Sequence, residues 1–329
     1  MALQVSSLGL LPWRPKPEPD EILSSWLRRV ALGNSPKLHS FCHFIWPGRQ
    51  LWTRDLDAVV DAGFIRELAS LTGCSLEQAS RTSLHSFSGV VFERVQVTGA
   101  TRWVLPLGVY HRTRRRSGQQ WCPECLAGDA EPYHRRDWRM AYSTTCSRHG
   151  TVLMDRCAEC GSPAVPHRTE ALECHVCGAD PRAHHSRIAD AAVLQLEHSI
   201  RAIVKGVSWP GRDFNCNHPL AYFALVRQVL SVVTANPRAA RLREVTCKHY
   251  GGDPRPPAFT SKVLVPENLA VGERHRMMAI VARLLRGWPF IYVAMCAEAG
   301  VWWSWAMRGD RASIPYAYAD VARLYLHPS

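Results

Sequence analysis

The chain has 329 residues, 47% of them apolar, and sets 40 Lys and Arg against 28 Asp and Glu for a formal net charge of +12. That length suits about two domains with real cores, and the positive balance favours a polyanionic partner, nucleic acid before an acidic membrane surface. The longest apolar stretches, YFALVRQVLSVV and MMAIVARLLRGW, are broken by arginine and fall short of the ~20 residues a bilayer-spanning helix needs. MALQVSSLGLLPWRPKPEPDE has no basic region ahead of a clean apolar run and no small-residue cleavage site, so the reading is cytoplasmic, with no membrane partner.

In chain order, PWRPKPEPDE is too proline-rich for helix, and Asp20 is expected to cap the run EILSSWLRRVAL, whose Ile22, Leu23, Trp26, Leu27 and Val30 share one face. Gly33 and Asn34 end it. Ser35 and Pro36 offer an N-cap and a first-turn proline to a second helix carrying Leu38, Phe41 and Ile45. A further helix through Phe64, Leu68 and Leu71 stops at Gly73. Ser75 and Gln78 then form a capping box that opens SLEQASRTSL. A helix, a short glycine turn and a capped second helix match the helix-turn-helix pattern, with Glu77, Gln78, Ser80 and Arg81 where a recognition helix presents polar groups; plain αα-hairpins share the same punctuation. VVFERVQV and RWVLPL are short and β-branched and read as strands. From Ser186 onward helical spacing returns in ADAAVLQLEHSIRAIV, PLAYFALVRQVLSVV, RAARLREV, VGERHRMMAIVARLLRGW and PYAYADVARLYL, with GGDPRPPAF as a loop.

Twelve cysteines in a reducing compartment point to metal rather than disulfides. Seven of them and one histidine fall into four tight pairs: Cys122 and Cys125, Cys146 and His149, Cys157 and Cys160, Cys174 and Cys177. Each pair has the two-residue spacing of a knuckle, and two knuckles complete the tetrahedral N/S shell of zinc. Eight ligands make two closed sites, so zinc is expected to be structural, two ions per chain; catalysis needs an open position. Pairing in chain order closes the shortest loops and is favoured over a cross-braced arrangement. Gly161 and Gly178 follow their knuckles and allow positive φ; the first site is read as lacking such a glycine and as having Pro123 inside its knuckle instead. Cys42, Cys74, Cys216, Cys247 and Cys296 are expected to be ordinary core residues. The pairs Cys216/His218 and Cys247/His249 lack knuckle spacing, and a third site there is disfavoured.

Arg112, Arg114, Arg115 and Arg116 precede the first knuckle, and Arg135 and Arg136 lie within the first loop. Together with Arg81 they are the candidate nucleic-acid contacts, the competing reading being a solvated face. Trp121, Tyr133 and Trp138 either stack on bases or form a small core. No phosphate loop, paired-histidine helix or nucleophile elbow is present. Asp55, Asp57 and Asp61 read as capping and surface residues rather than a catalytic triad.

The succession PDEILSSWLRR, FCHFIW, LWTRDLD, RWVLP, QQWCPECL, PYHRRDWRMAYSTTCSRHG, VLMDRCAECGSPAVPHR and ECHVCG, from about Leu11 to Asp180, resembles the TniQ/TnsD family of transposition target-selection proteins, and LLRGWPF is similar to an element of that family's helix-turn-helix-rich tail. The resemblance implies a bacterial, non-catalytic adaptor that marks an insertion site by binding DNA or a DNA-bound complex, a CRISPR effector ribonucleoprotein in some members. It implies recruitment of an AAA+ ATPase, which engages the transposase, and is compatible with a homodimer. The family's zinc-ligand positions fall on Cys122, Cys125, Cys146, His149, Cys157, Cys160, Cys174 and Cys177. Within the resemblance the chain is read as lacking the long C-terminal extension of the larger DNA-reading members. The rival class is a stand-alone zinc-ribbon and helix-turn-helix transcription regulator; a nuclease or zinc hydrolase ranks third. The expected architecture is mainly α with small zinc-ribbon β elements: a helical, helix-turn-helix domain with short strands over 1–117, tandem zinc ribbons over 118–185 and a helical, helix-turn-helix-like domain over 186–329.

Overall fold

The computed structural model describes residues 9–107, 118–165, 168, 172–209, 211–235, 239–260, 262–307 and 313–327. Among them the protein is mainly helical. Pairing between extended segments is confined to isolated bridges such as Trp121 with Met154, Thr145 with Val152 and Arg156 with Pro163. The chain divides into two compact units, one of Met1–Ser88, Arg94–Met140 and Leu153–Ser186, the other of Gly89–Glu93, Ala141–Val152 and Arg187–Ser329.

In the first unit, α1 (Leu23–Asn34) buries Leu23, Trp26, Leu27, Val30 and Ala31, the i, i+3, i+4, i+7, i+8 stripe of an amphipathic helix. It packs on α2 (Leu38–Ile45), which contributes Leu38, Phe41 and Ile45, and shares a core with α4 (Ala62–Thr72). The short α3 (Leu56–Val59) also touches α1. Asp20 does not cap α1: it sits at φ 60 and pairs with Arg136 instead. The orphan donors at this helix start are met from elsewhere in the unit. Leu23 N–H donates to Thr82 O, and Ser24 N–H donates at 2.7 Å to the carboxylate of Asp57. A fully buried acid at a helix N-terminus thus serves as the cap, and Asp57, expected at the surface, is completely enclosed. At α2 the N-cap is Lys37, not Ser35, whose hydroxyl accepts from Lys37 N–H in a local turn.

The turn after α4 follows the sequence reading. Gly73 takes φ 62, and Ser75 and Gln78 close a reciprocal capping box at α5 (Leu76–Arg81). The N-terminal segment lies along this hairpin. Leu11 N–H donates to Leu71 O, and the Lys16 ammonium reaches the carbonyls of Thr72 and Gly73 at the α4 C-terminus, where the helix dipole favours a cation.

The strands expected at 90–97 and 102–107 do not form; the latter segment keeps one bridge, Val104 with Met140. Gly89, Gly99 and Trp103 have φ of 79, 91 and 68, and each positive φ turns the backbone out of the pleat. β-branched composition is no substitute for a partner strand.

The second unit is built on α9 (Pro219–Thr234) and α11 (Val271–Leu285), which are buried on most of their surface, as central helices must be. Around them lie α7 (Ala191–Val204), α8 (Gly211–Phe214), α10 (Ala239–Tyr250), α12 (Phe290–Ala299), α13 (Trp303–Ala306) and α14 (Tyr316–Tyr325). The sequence reading missed α12: it buries only Tyr292, Met295 and Cys296, too narrow a stripe to register in so apolar a segment. Among the described residues, no single helix is long and apolar enough to cross a membrane.

Candidate metal centres and basic surface

Three of the four knuckles share one backbone device. Cys146, Cys157 and Cys174 each donate N–H to the carbonyl five residues on (Thr151, Ser162 and Ala179). Each also accepts at its own carbonyl from the glycine four residues on. Those glycines, Gly150, Gly161 and Gly178, have φ of 65, 69 and 74, the left-handed geometry that glycine adopts without strain. The first site therefore does possess its glycine, at Gly150 behind His149, which corrects the sequence reading. The remaining knuckle needs none. Cys122 is the N-cap of α6 (Pro123–Gly128), with Pro123 in the first turn, and Leu126 N–H donates to Cys122 O; here the turn of the knuckle continues as a helix.

The eight ligand atoms gather in chain-order pairing. Cys122, Cys125, Cys146 and His149 form one group and Cys157, Cys160, Cys174 and Cys177 the other, the atoms of each group all within 4.8 Å of one another. In the first, Cys146 Sγ lies 3.4 Å from His149 Nδ1. In the second, Cys157 Sγ to Cys177 Sγ is 3.6 Å and Cys160 Sγ to Cys174 Sγ is 3.5 Å. Zn–S bonds of ~2.3 Å at tetrahedral angles put sulfurs ~3.8 Å apart, so both groups fit a four-coordinate ion with no position left for water. Two metal ions can be held, each by a closed N/S shell. The histidines once considered for a third site are used otherwise: His218 caps α9, and His249 pairs with Glu298 at 2.7 Å.

Around the first knuckle Trp121, Tyr133 and Trp138 are buried and form a small core rather than a stacking platform. Arg135 lies over the rings of Tyr133 and Trp138, at 4.2 and 4.7 Å from their centroids, and makes a two-pronged pair with Asp129. Arg136 bonds Asp20 and Ser86 and covers Phe87. Both guanidiniums hold this unit together. Arg81 is exposed on α5 and pairs with Glu77. It lines a groove of about 610 Å³ with Arg66, Ser80, His85 and Ser86. Arg112, Arg114, Arg115 and Arg116 lie outside the described residues.

Sequence reasoning overlooked a buried ionic cluster behind this region. Arg139, fully enclosed, reaches Asp57 at 2.7 Å and Asp55 at 2.5 Å and donates to Leu105 O. Asp57 is nonetheless pushed up to about 6, because burial outweighs the attraction of Arg139. Glu21 accepts from Ser25, Glu18 N–H and Arg29, yet burial pushes it up to about 7. Nothing in the local sequence announces these partners, which lie far apart along the chain.

A mainly helical chain with two closed Cys/His ligand sets is consistent with tandem zinc ribbons rather than with a protein built around an open metal site. Residues 12–153 match the family model described as TniQ. Over that span the chain is similar to the TniQ family, in agreement with the resemblance its motifs carry. The match ends before the second ligand set, so Cys157 to Cys177 and the C-terminal helices lie beyond it. No curated protein matches the chain.

Proposed function

We propose that this protein is a non-catalytic target-site selector in DNA transposition. It binds DNA, or a complex already bound to DNA such as a CRISPR effector ribonucleoprotein, and presents a surface to an AAA+ ATPase that then engages the transposase. The observation that carries this reading is the TniQ match over 12–153, which contains the whole first ligand set. The metals are zinc, held by Cys122, Cys125, Cys146 and His149 and by Cys157, Cys160, Cys174 and Cys177. Soft thiolate donors at tetrahedral spacing suit that ion. Closed shells give it a folding role, which accords with a protein that performs no reaction itself.

In this reading the division into 1–117, 118–185 and 186–329 is one of roles, and the protein acts in the cytoplasm. Arg81 and the run Arg112, Arg114, Arg115 and Arg116 supply phosphate contacts, while Arg135 and Arg136 act mainly by shaping the first zinc loop. The test is binding of the zinc-loaded chain to duplex DNA fragments across a salt series, run alongside co-precipitation with an AAA+ transposition ATPase. Sequence-nonspecific phosphate binding collapses as salt rises. ATPase capture with fragment-selective binding at high salt supports direct reading of the site; ATPase capture with uniform loss of DNA moves the reading of sequence to a partner complex. Failure to capture the ATPase in either arm overturns the adaptor role.

A further inference from the structure

The carboxylate of Glu197 on α7 is fully enclosed and saturated by donors from one short segment, Thr144 and Thr145, and from Arg201 of its own helix. Oε1 accepts from Thr144 N–H at 2.7 Å and Thr144 Oγ1 at 2.6 Å. Oε2 accepts from Thr145 N–H at 3.1 Å, Thr145 Oγ1 at 2.7 Å and Arg201 Nη2 at 2.7 Å. Arg201 also donates to Thr145 O and Ser143 Oγ. One carboxylate and one guanidinium thus fix the backbone of the residues immediately before Cys146. Two consecutive backbone N–H groups clamped by one carboxylate leave the next residue little freedom of direction.

The opposite side of the same hairpin is fixed as well. Thr145 bridges Val152 across the knuckle, Val152 N–H donates to Arg187 O, and Ala189 N–H donates to Gly150 O. That third segment leads into Asp190, the N-cap of α7. His275 of α11 closes the frame. Its Nδ1 lies 3.0 Å from Thr144 Oγ1, whose proton goes to Glu197, and its Nε2 accepts from Asp190 N–H at 3.2 Å. His275 is therefore the neutral tautomer with hydrogen on Nδ1. Burial, aided by Arg187, holds it down at about 4, against the pull of Asp190.

We propose that Glu197 is a positioning residue for the first metal site: through Thr144 and Thr145 it sets the direction of Cys146 and the Cys146–His149 knuckle, so that metal affinity at this site is coupled to the α7–α11 packing of the C-terminal helices. The inference rests on the reading of Cys122, Cys125, Cys146 and His149 as metal ligands. Coupling of this kind is reciprocal: metal at the knuckle stabilises the helices by the factor by which the helices tighten the metal. Groups that orient metal ligands from behind typically change affinity by ~10–100-fold when removed. The second ligand set, four thiolates with no contact to Glu197, is an internal reference in the same molecule.

The test is titration of the metal-free full chain with Co²⁺, followed in the visible spectrum, where an S₃N and an S₄ site give separable bands. The wild type is expected to take up two ions. In Glu197→Gln one of the two carboxylate oxygens becomes an NH₂ that faces Thr N–H groups, and the S₃N component is expected to weaken at least tenfold while the S₄ component keeps its midpoint. Thr145→Val, which removes one hydroxyl and retains the shape, is the milder variant should Glu197→Gln not fold, and its expected shift is smaller but equally confined to the S₃N component. Equal midpoints for both components in both variants, or equal weakening of the two sites, would overturn the positioning role, the latter pointing to a general loss of fold. A wild type that takes up no cobalt overturns the metal reading itself.

Discussion

Replacing Arg139 by methionine tests the ionic cluster behind the first metal loop. The guanidinium is fully enclosed and makes three charge-assisted bonds, one to Asp57 at 2.7 Å and two to Asp55 at 2.5 and 3.2 Å, with a fourth bond to Leu105 O. Removing one partner of a buried pair costs ~3–5 kcal/mol, because the remaining charge is left without compensation. Asp57 already sits at about 6 with Arg139 present, and without it the carboxyl must rise further. Each added unit costs about 1.4 kcal/mol at pH values where the unfolded chain is ionised, so a rise of two units places about 3 kcal/mol of the loss between pH 6 and pH 8. At pH 5 Asp57 is largely protonated in both proteins and the loss shrinks. Urea unfolding of the metal-loaded proteins, followed by tryptophan fluorescence at pH 5 and pH 8, measures both quantities. Adding Asp57→Asn to the variant is expected to restore part of the loss at pH 8 and little at pH 5. A loss below ~1 kcal/mol, or one of equal size at the two pH values, would refute the reasoning.

Four further outcomes follow from the same geometry. Glu21 is raised by burial from 4.5 to about 7, so the native state holds a proton that the unfolded chain has released, and stability falls as pH rises from about 4.5 to about 7; Glu21→Gln should flatten that slope by about 3 kcal/mol in denaturant titrations. Ser75→Ala breaks the capping box of α5 and should cost ~1 kcal/mol, seen as faster hydrogen exchange at Gln78 and Ala79. Gly161 has φ 69 and open space where a Cβ would sit; Gly161→Ala should cost ~1–2 kcal/mol through conformation alone, and Gly161→Asn less, by thermal unfolding. Chelation of the metals should remove hydrogen-exchange protection from the knuckle amides of Gly150, Gly161 and Gly178, because structural zinc supplies ~10–16 kcal/mol of apparent binding energy to such folds; unchanged protection after complete chelation would contradict a structural role.

What could be read from the sequence was whatever is encoded within a few residues. The capping box at Ser75 and Gln78, the glycine stop at Gly73, the stripe of α1 and the two-residue knuckles each depend on neighbours in the chain, and each appears in the structure. The cap of α1 did not follow the local rule, since Asp57, not Asp20, reaches Ser24 N–H from a distant segment. The strands at 90–97 and 102–107 failed for the same reason in reverse: their composition was favourable, but among the described residues no distant segment pairs along them, and positive φ at Trp103 breaks the second run. Glu197 was visible only as one acid in an apolar helix. Its role depends on Thr144 and Thr145, and no spacing within α7 points to them. In the candidate metal centres the clustering of the Cys and His residues was legible and the hydrogen-bonded frame around them was not.

The central claim is that this protein selects where a transposon inserts. The most direct measurement is sequencing of insertion sites in cells carrying the reconstituted ATPase and transposase, with the wild-type chain, without it, and with Cys146→Ser. The account predicts insertions concentrated at a defined site with the wild type, and loss of that concentration both without the chain and with the Cys146→Ser variant. An unchanged distribution of insertions in the absence of this protein would contradict it.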